Sequence, residues 1–260
     1  MATKLNINAI CDRGCVRLKN EDIVTIGGVM LRDEKLSTDV EFGGDAAFYL
    51  LIADGMGGHE KGEVASSMTL EHLRDCFSKN EISAEDFVEC ITRSVRSISS
   101  KINAVAKDEG QFRMMGSTLT GVVWLGGKVW LINAGDSRTY LFRDGIIEQL
   151  SVDDEDENGF LTNCVGGGVY TTLAVAEITD RLQDGDIILI CSDGLSDVAN
   201  GDYLEYYLMN SETPAEDLAN WAMKNGSRDN VSVIAAVVGG TGFAPCPDEP
   251  DDDGRFDAWA

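Results

Sequence analysis

The sequence predicts an α+β fold in which antiparallel β-sheets are covered on the outside by helices. Apolar runs typical of strands occur in clusters, and glycine-containing turn pairs separate several of them. Helical patterns occur in pairs between these clusters, so the strand–helix alternation of a parallel sheet is not expected. The chain of 260 residues is compatible with one large domain, which we expect to span residues 1–240.

The N-terminal part of the chain is predicted to be rich in strands. Leu5, Ile7 and Ala9 lie on one side of a strand at Lys4–Ala9, which is therefore half-buried. A second strand is predicted at Ile23–Leu31, although glycines interrupt it. The polar stretch Asp33–Asp45 is predicted to be a hairpin loop, and the apolar run 47–53 is a further strand.

Helices and strands are predicted in clusters along the rest of the chain. Two helices are expected at about Gly62–Phe77 and Ala84–Lys107, and the second has an apolar stripe that requires a partner surface, such as a sheet. The turn pairs Gly126-Gly127 and Asp144-Gly145 are typical of hairpins. The remaining strands are expected at Leu119–Leu125, Lys128–Asn133, Thr139–Phe142, Ile146–Leu150, Leu173–Ile178, Asp186–Cys191 and Val231–Val238, with helices at Tyr203–Met209 and Ala215–Lys224.

Composition excludes several classes of function. The chain has 21 basic and 45 acidic residues and a net charge of −24, which argues against nucleic acid and anionic membranes as partners. No apolar run approaches the roughly 20 residues of a membrane span, and the N-terminus has no signal-peptide core. The seven scattered cysteines fit reduced thiols, so we expect a cytoplasmic protein. Residues 241–260 are predicted to be a disordered acidic tail.

Four short segments built around aspartate are the strongest indication of function. Asp54 and Asp193 each follow an apolar run, and Asp229 precedes one. Carboxylates gathered at strand ends suit a hard divalent cation, which indicates Mg²⁺ or Mn²⁺ and metal-assisted hydrolysis. Arg17 lies five residues before Asp22, so its guanidinium could grip a phosphoryl group in the same pocket.

Other motifs in the sequence give weaker indications of function. The run Asp154–Gly159 matches the first half of a calcium-binding EF-hand loop, but Val165 stands where a glutamate is required, which favours an acidic surface loop. No Gly-x-Ser-x-Gly elbow is present. We expect His59 to be a structural hydrogen-bond donor near the metal loop and His72 to be a packing or surface residue.

The segments, in this order, resemble the metal-dependent protein serine/threonine phosphatases of the PP2C (PPM) family in their bacterial form. The resemblance covers roughly residues 5–238 and is highly specific because several motifs are in register. These motifs are Arg17…Asn20-Glu21-Asp22, residues 54–66 from Asp54-Gly55-Met56, Gly116-Ser117-Thr118, residues 133–138 around Asp136, residues 192–197 from Ser192-Asp193-Gly194, and Asp229-Asn230-Val231.

The resemblance implies a sandwich of two packed antiparallel sheets with a pair of helices on each outer face. It also implies two Mn²⁺ or Mg²⁺ ions, a phosphate held by Arg17, and a bridging hydroxide that attacks phosphorus in line. Asp136 would support the site, and Asp197 fits a weaker third metal. The implied metal-binding residues are Asp22, Asp54, the carbonyl of Gly55, Asp193 and Asp229, with Glu21 acting through water.

The chain departs from the family pattern at three places. Met56 replaces a histidine that animal members carry, a change that bacterial relatives share. Only Ser151–Gly168 stands where relatives usually carry a long flap subdomain. Arg113-Met114-Met115 replaces the acid that usually precedes the Gly-Ser-Thr segment and binds a third metal, and Asp108 and Glu109 are the nearest acids.

These observations lead to one main hypothesis and two alternatives. The main hypothesis is a monomeric phosphatase that removes phosphate from serine and threonine in substrates of a serine/threonine kinase and so reverses kinase signalling. The first alternative is a catalytically silent relative that binds a phosphoprotein or a regulator. The second is a calcium-binding or purely acidic interaction module.

Overall fold

The computed structural model describes residues 2–44, 46–57, 61–108 and 115–239. The first strands are β1 (Thr3–Asp12), β2 (Ile23–Ile26), β3 (Val29–Leu31), β4 (Glu34–Phe42), β5 (Phe48–Ala53) and β6 (Gly55–Met56). Helices α1 (Lys61–Ser78) and α2 (Phe87–Asp108) follow. The next strands are β7 (Gly116–Ser117), β8 (Leu119–Leu125), β9 (Lys128–Ala134), β10 (Arg138–Arg143), β11 (Ile146–Gln149), β12 (Val165–Gly166), β13 (Ala174–Glu177) and β14 (Ile187–Cys191). The chain continues through α3 (Asp193–Ser196), α4 (Gly201–Asn210), α5 (Pro214–Lys224) and β15 (Val231–Gly239).

Two six-stranded antiparallel sheets form the centre of the fold. The first has the strand order β11-β10-β14-β15-β1-β4, and the second has the order β13-β9-β8-β5-β2-β3. A smaller sheet of two-residue strands, β12-β7-β6, lies between α1, α2 and the site described below. The antiparallel sheets confirm the predicted fold class.

Side chains that alternate between the two faces of each sheet divide the core into layers. In β5, Tyr49 and Leu51 pack with the residues of α1 and α2, whereas Leu50 and Ile52 pack against the other sheet. This follows from the two-residue period of a strand, which sends successive side chains to opposite faces. A third cluster joins the outer face of the first sheet to α4 and α5. The layers are therefore helix, sheet, sheet and helix.

The helix α2 confirms the apolar stripe predicted from the sequence. Phe87, Ile91, Val95 and Ile102 are buried in the cluster that joins the helix pair to the second sheet. The stripe buries one side of the helix and leaves its charged side in solvent. The partner surface is the sheet, as expected.

The prediction of a loop at Asp33–Asp45 was wrong. Residues 34–42 form the nine-residue edge strand β4, which pairs with β1. Leu36, Val40 and Phe42 face the core between the sheets, while polar residues alternate with them. Edge strands commonly carry charged side chains. The many polar residues of β4 therefore made its two-residue alternation of apolar side chains difficult to recognise in the sequence.

The single strand predicted at Ile23–Leu31 was also wrong, because it is two strands joined by a turn. Gly27 and Gly28 have φ values of 54° and 97°, which glycine adopts without strain. The two-residue strands β6, β7 and β12 have no readable period and were not predicted. The turns at 126–127 and 144–145 are confirmed between paired strands.

Two predictions fall outside the described residues, namely those for His59 and for the tail 241–260. Within the described ranges, no helix is both long enough and apolar enough to cross a membrane.

Candidate functional site

The sheet topology brings the predicted aspartates to one end of the sandwich. In the first sheet, β14 and β15 are antiparallel neighbours, so Asp193 after β14 lies near Asp229 before β15. In the second sheet, Ile23 pairs with Ala53, so Asp22 before β2 lies near Asp54 after β5. The face-to-face packing of the sheets then places both pairs together.

A cleft of about 630 Å³ opens at this end of the sandwich. Its wall is strongly acidic and contains one cationic side chain among the described lining residues, that of Arg17. The acidic lining residues are Glu21, Asp54, Asp136, Asp193 and Asp229. Gly55 and Met56 also line the cleft.

The carboxylate of Asp22 is fully buried beneath this cleft. Its Oδ2 accepts hydrogen bonds from the hydroxyls of Ser192, at 2.8 Å, and Ser232, at 2.7 Å. Its Oδ1 is buried and has no hydrogen-bond partner among the described residues. Burial raises the pKa of Asp22 to about 6 despite the two hydroxyl donors, which lower it. One oxygen is therefore fixed and the other is left for a further partner.

Asp193 and Asp54 show that the carboxylates repel one another. Burial, and then the charges of Asp229 and Asp22, raise the pKa of Asp193 to about 8. Burial and the neighbouring carboxylates also raise the pKa of Asp54 well above its ordinary value. The Oδ1 of Asp193 is buried and lacks a hydrogen-bond partner in the described part of the chain. Such a group is stabilised by a bound cation, because a cation cancels the repulsion.

Asp136 and Glu21 extend the same acidic environment. Burial raises the pKa of Asp136 to about 6, with smaller contributions from Glu155, Asp153 and Asp197. Burial also raises the pKa of Glu21, against a lowering by Arg17. Even so, no three Asp, Glu, His or Cys side chains of the described ranges already converge on one ion position. An ion in this cleft would therefore be held by fewer than three of these side chains, with water completing its coordination, unless a carboxylate turns towards it.

Arg17 supplies the positive charge among the described residues that line the cleft. Its guanidinium donates a hydrogen bond to Oδ2 of Asp229 and remains about half exposed, with 51% of its side chain accessible. The short loop that carries Arg17 is held by Asn230, whose amide donates to the carbonyls of Arg13 and Lys19 at 2.8 and 2.9 Å. Asn230 also accepts from the backbone N–H of Glu21. The loop is fixed while the end of the arginine side chain remains accessible.

A close backbone contact holds the start of α1 against the cleft. A Cβ on Gly62 would lie 2.5 Å from the carbonyl oxygen of Gly55 and 2.7 Å from Cδ of Glu21. The Ser66 hydroxyl donates to the Glu21 carbonyl at 2.5 Å, and Arg32 donates to the Asp22 carbonyl at 2.8 Å. The first turns of α1 and the segment 21–22 therefore form one packed unit.

Several residues of this site had no assigned role in the sequence prediction. Ser192 and Ser232 position Asp22, Asn230 anchors the loop of Arg17, and Thr118 exchanges hydrogen bonds with the backbone of Asp54. The one available signal was a buried polar residue inside an apolar strand, as Ser232 is in β15.

Three further sequence predictions can be placed on the structure. Asp197 is exposed at the end of α3 and is not among the described lining residues, although its charge reaches Asp193 and Asp136. Residues 155–159 form an exposed acidic loop. The following segment, including Phe160 and Val169, forms an apolar wall of the cleft. His72 is half-buried and lies on α1, outside the lining of the cleft.

Comparison with known proteins gives concordant matches. The family profile described as Protein phosphatase 2C matches residues 31–239. The serine/threonine protein phosphatase PstP of Mycobacterium tuberculosis is 33% identical over 259 residues, which covers 90% of this chain and 45% of PstP. The serine/threonine phosphatase stp of Listeria innocua is 27% identical and is covered over 92% of its length.

A solved structure supports the same relationship. The crystal structure of the catalytic domain of PstP in complex with two manganese ions matches with a TM-score of 0.70 and 32% identity. The match covers 92% of this chain and 100% of that domain. The chain thus spans less than half of full-length PstP, and the part that it matches includes the catalytic domain.

Proposed function

Because the chain belongs to the protein phosphatase 2C family, we propose that it is a metal-dependent phosphatase acting on phosphoserine and phosphothreonine in proteins. The observation that carries this proposal is the cleft in which Arg17 faces a group of buried, mutually repelling carboxylates. A hydrolase of phosphoryl groups needs both a cation site and a donor fork for phosphate oxygens. A silent binding protein would have no physical need for this costly cluster of charge.

The residues of the cleft fit two Mn²⁺ or Mg²⁺ ions. All of the side-chain donors are oxygens, which these hard cations prefer, and buried oxygens of Asp22 and Asp193 lack partners within the described chain. When bound, such ions would supply Lewis-acid stabilisation of phosphoryl oxygens and lower the pKa of an attacking water. The proposed ligands are Asp22, Asp54, the carbonyl of Gly55, Asp193 and Asp229, with Glu21 acting through water.

Arg17 is proposed to bind the phosphate of the substrate. Its guanidinium is held by Asp229 and is half exposed, so it can exchange that partner for a dianionic phosphoryl group while its loop stays fixed by Asn230. Planar guanidinium donors match two phosphoryl oxygens at once. Asp136 would act as a support at the wall of the cleft.

We also propose that a third metal ion binds near Asp197. Asp197 is exposed and lies outside the described lining, but its charge acts on Asp193. Rotation of its side chain would bring another carboxylate towards the cleft. The family's usual acid before Gly116 is replaced here, so we expect any third ion to bind more weakly than the other two.

We also propose a setting for this activity. The substrates would be proteins phosphorylated by a serine/threonine kinase, and the enzyme would act as a monomer in the cytoplasm. Residues 1–240 would form one phosphatase domain, with Ser151–Gly168 in place of a longer flap. A short flap leaves the apolar wall at Phe160 accessible to the substrate.

The decisive test is metal-dependent turnover. Purified protein should hydrolyse p-nitrophenyl phosphate and a phosphothreonine peptide when Mn²⁺ is added, and chelation should abolish the reaction. Asp193→Asn should remove the activity while leaving the circular dichroism spectrum unchanged. Asp184→Asn, at an exposed position outside the cleft, is the matched control and should retain activity. Absence of turnover by metal-loaded protein would reject the proposal in favour of the silent alternative.

A further inference from the structure

One wall of the acidic cleft is apolar and has no part in the proposed chemistry. Phe160 and Val169 line the cleft together with Arg17 and the carboxylates, and their side chains are 68% and 42% exposed. Single exposed apolar residues are common on protein surfaces, but these two line the same cleft. A cleft of about 630 Å³ is in the size range that encloses a drug-sized ligand, so it has room for more than one phosphorylated side chain.

A closed turn holds Phe160 in place. Its backbone N–H donates a hydrogen bond to Oδ1 of Asp156 at 3.0 Å, and its carbonyl accepts one from the backbone N–H of Asp156 at 2.9 Å. Glu155 and Leu161, on either side of this turn, form an antiparallel β-bridge. The backbone that carries the phenyl ring is therefore already ordered, which lowers the entropic cost of binding a ligand against the ring.

Asp154 attaches this turn to the end of the second sheet. Its Oδ2 accepts hydrogen bonds from the backbone N–H of Gly135 at 2.8 Å and from the amide of Asn163 at 2.7 Å. Its carbonyl accepts from the backbone N–H and the hydroxyl of Thr162 at 2.7 and 2.8 Å. Gly135 follows β9, which runs in the same direction as β5, so the turn is fixed at the end of the sheet that carries Asp54.

The charges around the apolar wall do not favour ionic recognition of a residue beside the phosphate. Segment 151–168 has five acidic residues and no basic residue. Arg17 is the one cation among the described lining residues, and the phosphate would occupy it. Glu155 and Glu157 are exposed to solvent, where salt and water weaken their attraction for a basic residue. Burial of an apolar side chain against Phe160 is the stronger interaction that this wall offers.

We propose that Phe160 selects phosphoprotein substrates that have an apolar side chain next to the phosphorylated serine or threonine. Because this selectivity acts on the proposed phosphatase reaction, it rests on that function and adds a substrate class to it. The phosphate binds at the Arg17 side of the cleft, and the neighbouring side chain packs against Phe160, with Val169 continuing the same wall. Phe160 determines specificity and takes no part in the hydrolysis.

Three phosphothreonine peptides that differ only in the two residues flanking the phosphothreonine test this proposal. Both flanking residues are serine in the first peptide, leucine in the second and lysine in the third. At saturating Mn²⁺, we expect kcat/KM of the wild type to be about fivefold or more higher for the leucine peptide than for the serine peptide. The lysine peptide should be a poorer substrate than the leucine peptide.

Variants of Phe160 show whether this residue is the source of the preference. Phe160→Ala should reduce the leucine-to-serine ratio of kcat/KM to less than about twofold and leave the serine peptide unaffected, since serine offers little apolar surface. Phe160→Leu should retain most of the preference. Ile146→Ala is the matched control, because Ile146 is 69% exposed at the start of β11 and lies outside the described lining of the cleft.

Circular dichroism should show that all three variants fold, because both positions are exposed. The proposal is overturned if the wild type has no preference for the leucine peptide or prefers the lysine peptide. It is also overturned if Phe160→Ala keeps the preference, or if it lowers kcat/KM equally for the leucine and serine peptides. These outcomes leave the phosphatase function intact, whereas no turnover of any peptide by the metal-loaded wild type rejects that function and the selectivity with it.

Discussion

Ser232 donates a hydrogen bond of 2.7 Å to Oδ2 of Asp22 across 210 residues of sequence. The bond joins the first sheet to the start of a strand in the second, at the base of the acidic cleft. It orients one carboxylate oxygen and leaves the other without a partner in the described chain. Ser232 is thus a positioning residue for a proposed metal ligand.

Ser232→Ala should destabilise the protein and weaken metal binding. Loss of a hydrogen bond to a buried carboxylate costs about 1.5–3 kcal/mol, and the pKa of Asp22 should rise further because one of its donors is gone. We expect chemical denaturation at neutral pH to show this loss and titration calorimetry to show weaker Mn²⁺ binding.

Ser227→Ala provides the matched control for that measurement. The Ser227 hydroxyl is buried and has no hydrogen-bond partner among the described residues, so its removal should leave the free energy of unfolding unchanged or raise it. Equal effects of the two substitutions would show that the Ser232–Asp22 bond has no special role.

Gly62→Ala should disturb the packing between α1 and the cleft. The added Cβ would lie 2.5 Å from the Gly55 carbonyl oxygen, so the backbone of one segment must move. We expect a loss of about 1–3 kcal/mol in stability and a lower affinity for Mn²⁺, measured by thermal unfolding and calorimetry.

Gly201→Ala tests whether the effect is specific to that contact. Gly201 is the first residue of α4, and its added Cβ would make only an ordinary 3.7 Å contact with Ile147. This substitution should leave stability unchanged or raise it by about 0.5 kcal/mol. Normal metal binding by Gly62→Ala would contradict the role of this close contact.

Arg17→Lys should weaken substrate binding more than metal binding. Lysine retains the charge but loses the planar fork, so kcat/KM for a phosphothreonine peptide should fall by about tenfold or more. Steady-state kinetics at saturating Mn²⁺ measure this change. Arg13→Lys, at an exposed position in the same loop, should have little effect. Unchanged kinetics for Arg17→Lys would remove Arg17 from the phosphate site.

Stability of the metal-free protein should fall as pH rises. The pKa values of Asp22 and Asp136 are raised to about 6 and that of Asp193 to about 8, while an unfolded aspartate titrates near about 3.9. The folded state therefore binds these protons more tightly. Their stabilising contribution is complete below about pH 4 and is lost as pH rises through about 6 to 8.

Thermal unfolding of chelator-treated protein between about pH 5 and 8 measures this effect, and Asp193→Asn isolates one group. The variant cannot ionise at that position, so its melting temperature should fall less steeply towards pH 8 than that of the wild type. Saturating Mn²⁺ should reduce the slope of the wild type. An identical slope for wild type and Asp193→Asn would contradict the raised pKa.

The sequence was most informative where a carboxylate that could bind a metal stands just after a predicted strand. Asp54 directly follows a buried apolar run and Asp193 follows another after Ser192, so the end of the sheet at which they lie could be predicted before the fold was known. The stripe on α2 likewise predicted a buried face, because its period is set by helix geometry and not by distant residues.

Features that depend on contacts between residues far apart in the sequence could not be predicted. The polar segment that contains β4 is a strand because β1 lies beside it, and the sequence of β4 alone shows more charge than period. The hydroxyl of Ser232 meets Asp22 only after the sheets have packed. The apolar wall at Phe160 also depends on how the segment 151–168 folds over the cleft.

The most direct test of the metal centre is a calorimetric titration of the metal-free protein with Mn²⁺ at neutral pH. We expect two ions to bind per chain with release of protons, and we expect Asp193→Asn to lose at least one of them while remaining folded. A folded wild-type protein that binds no Mn²⁺, or an Asp193→Asn variant that binds as the wild type does, would show that the gathered carboxylates are not a metal centre.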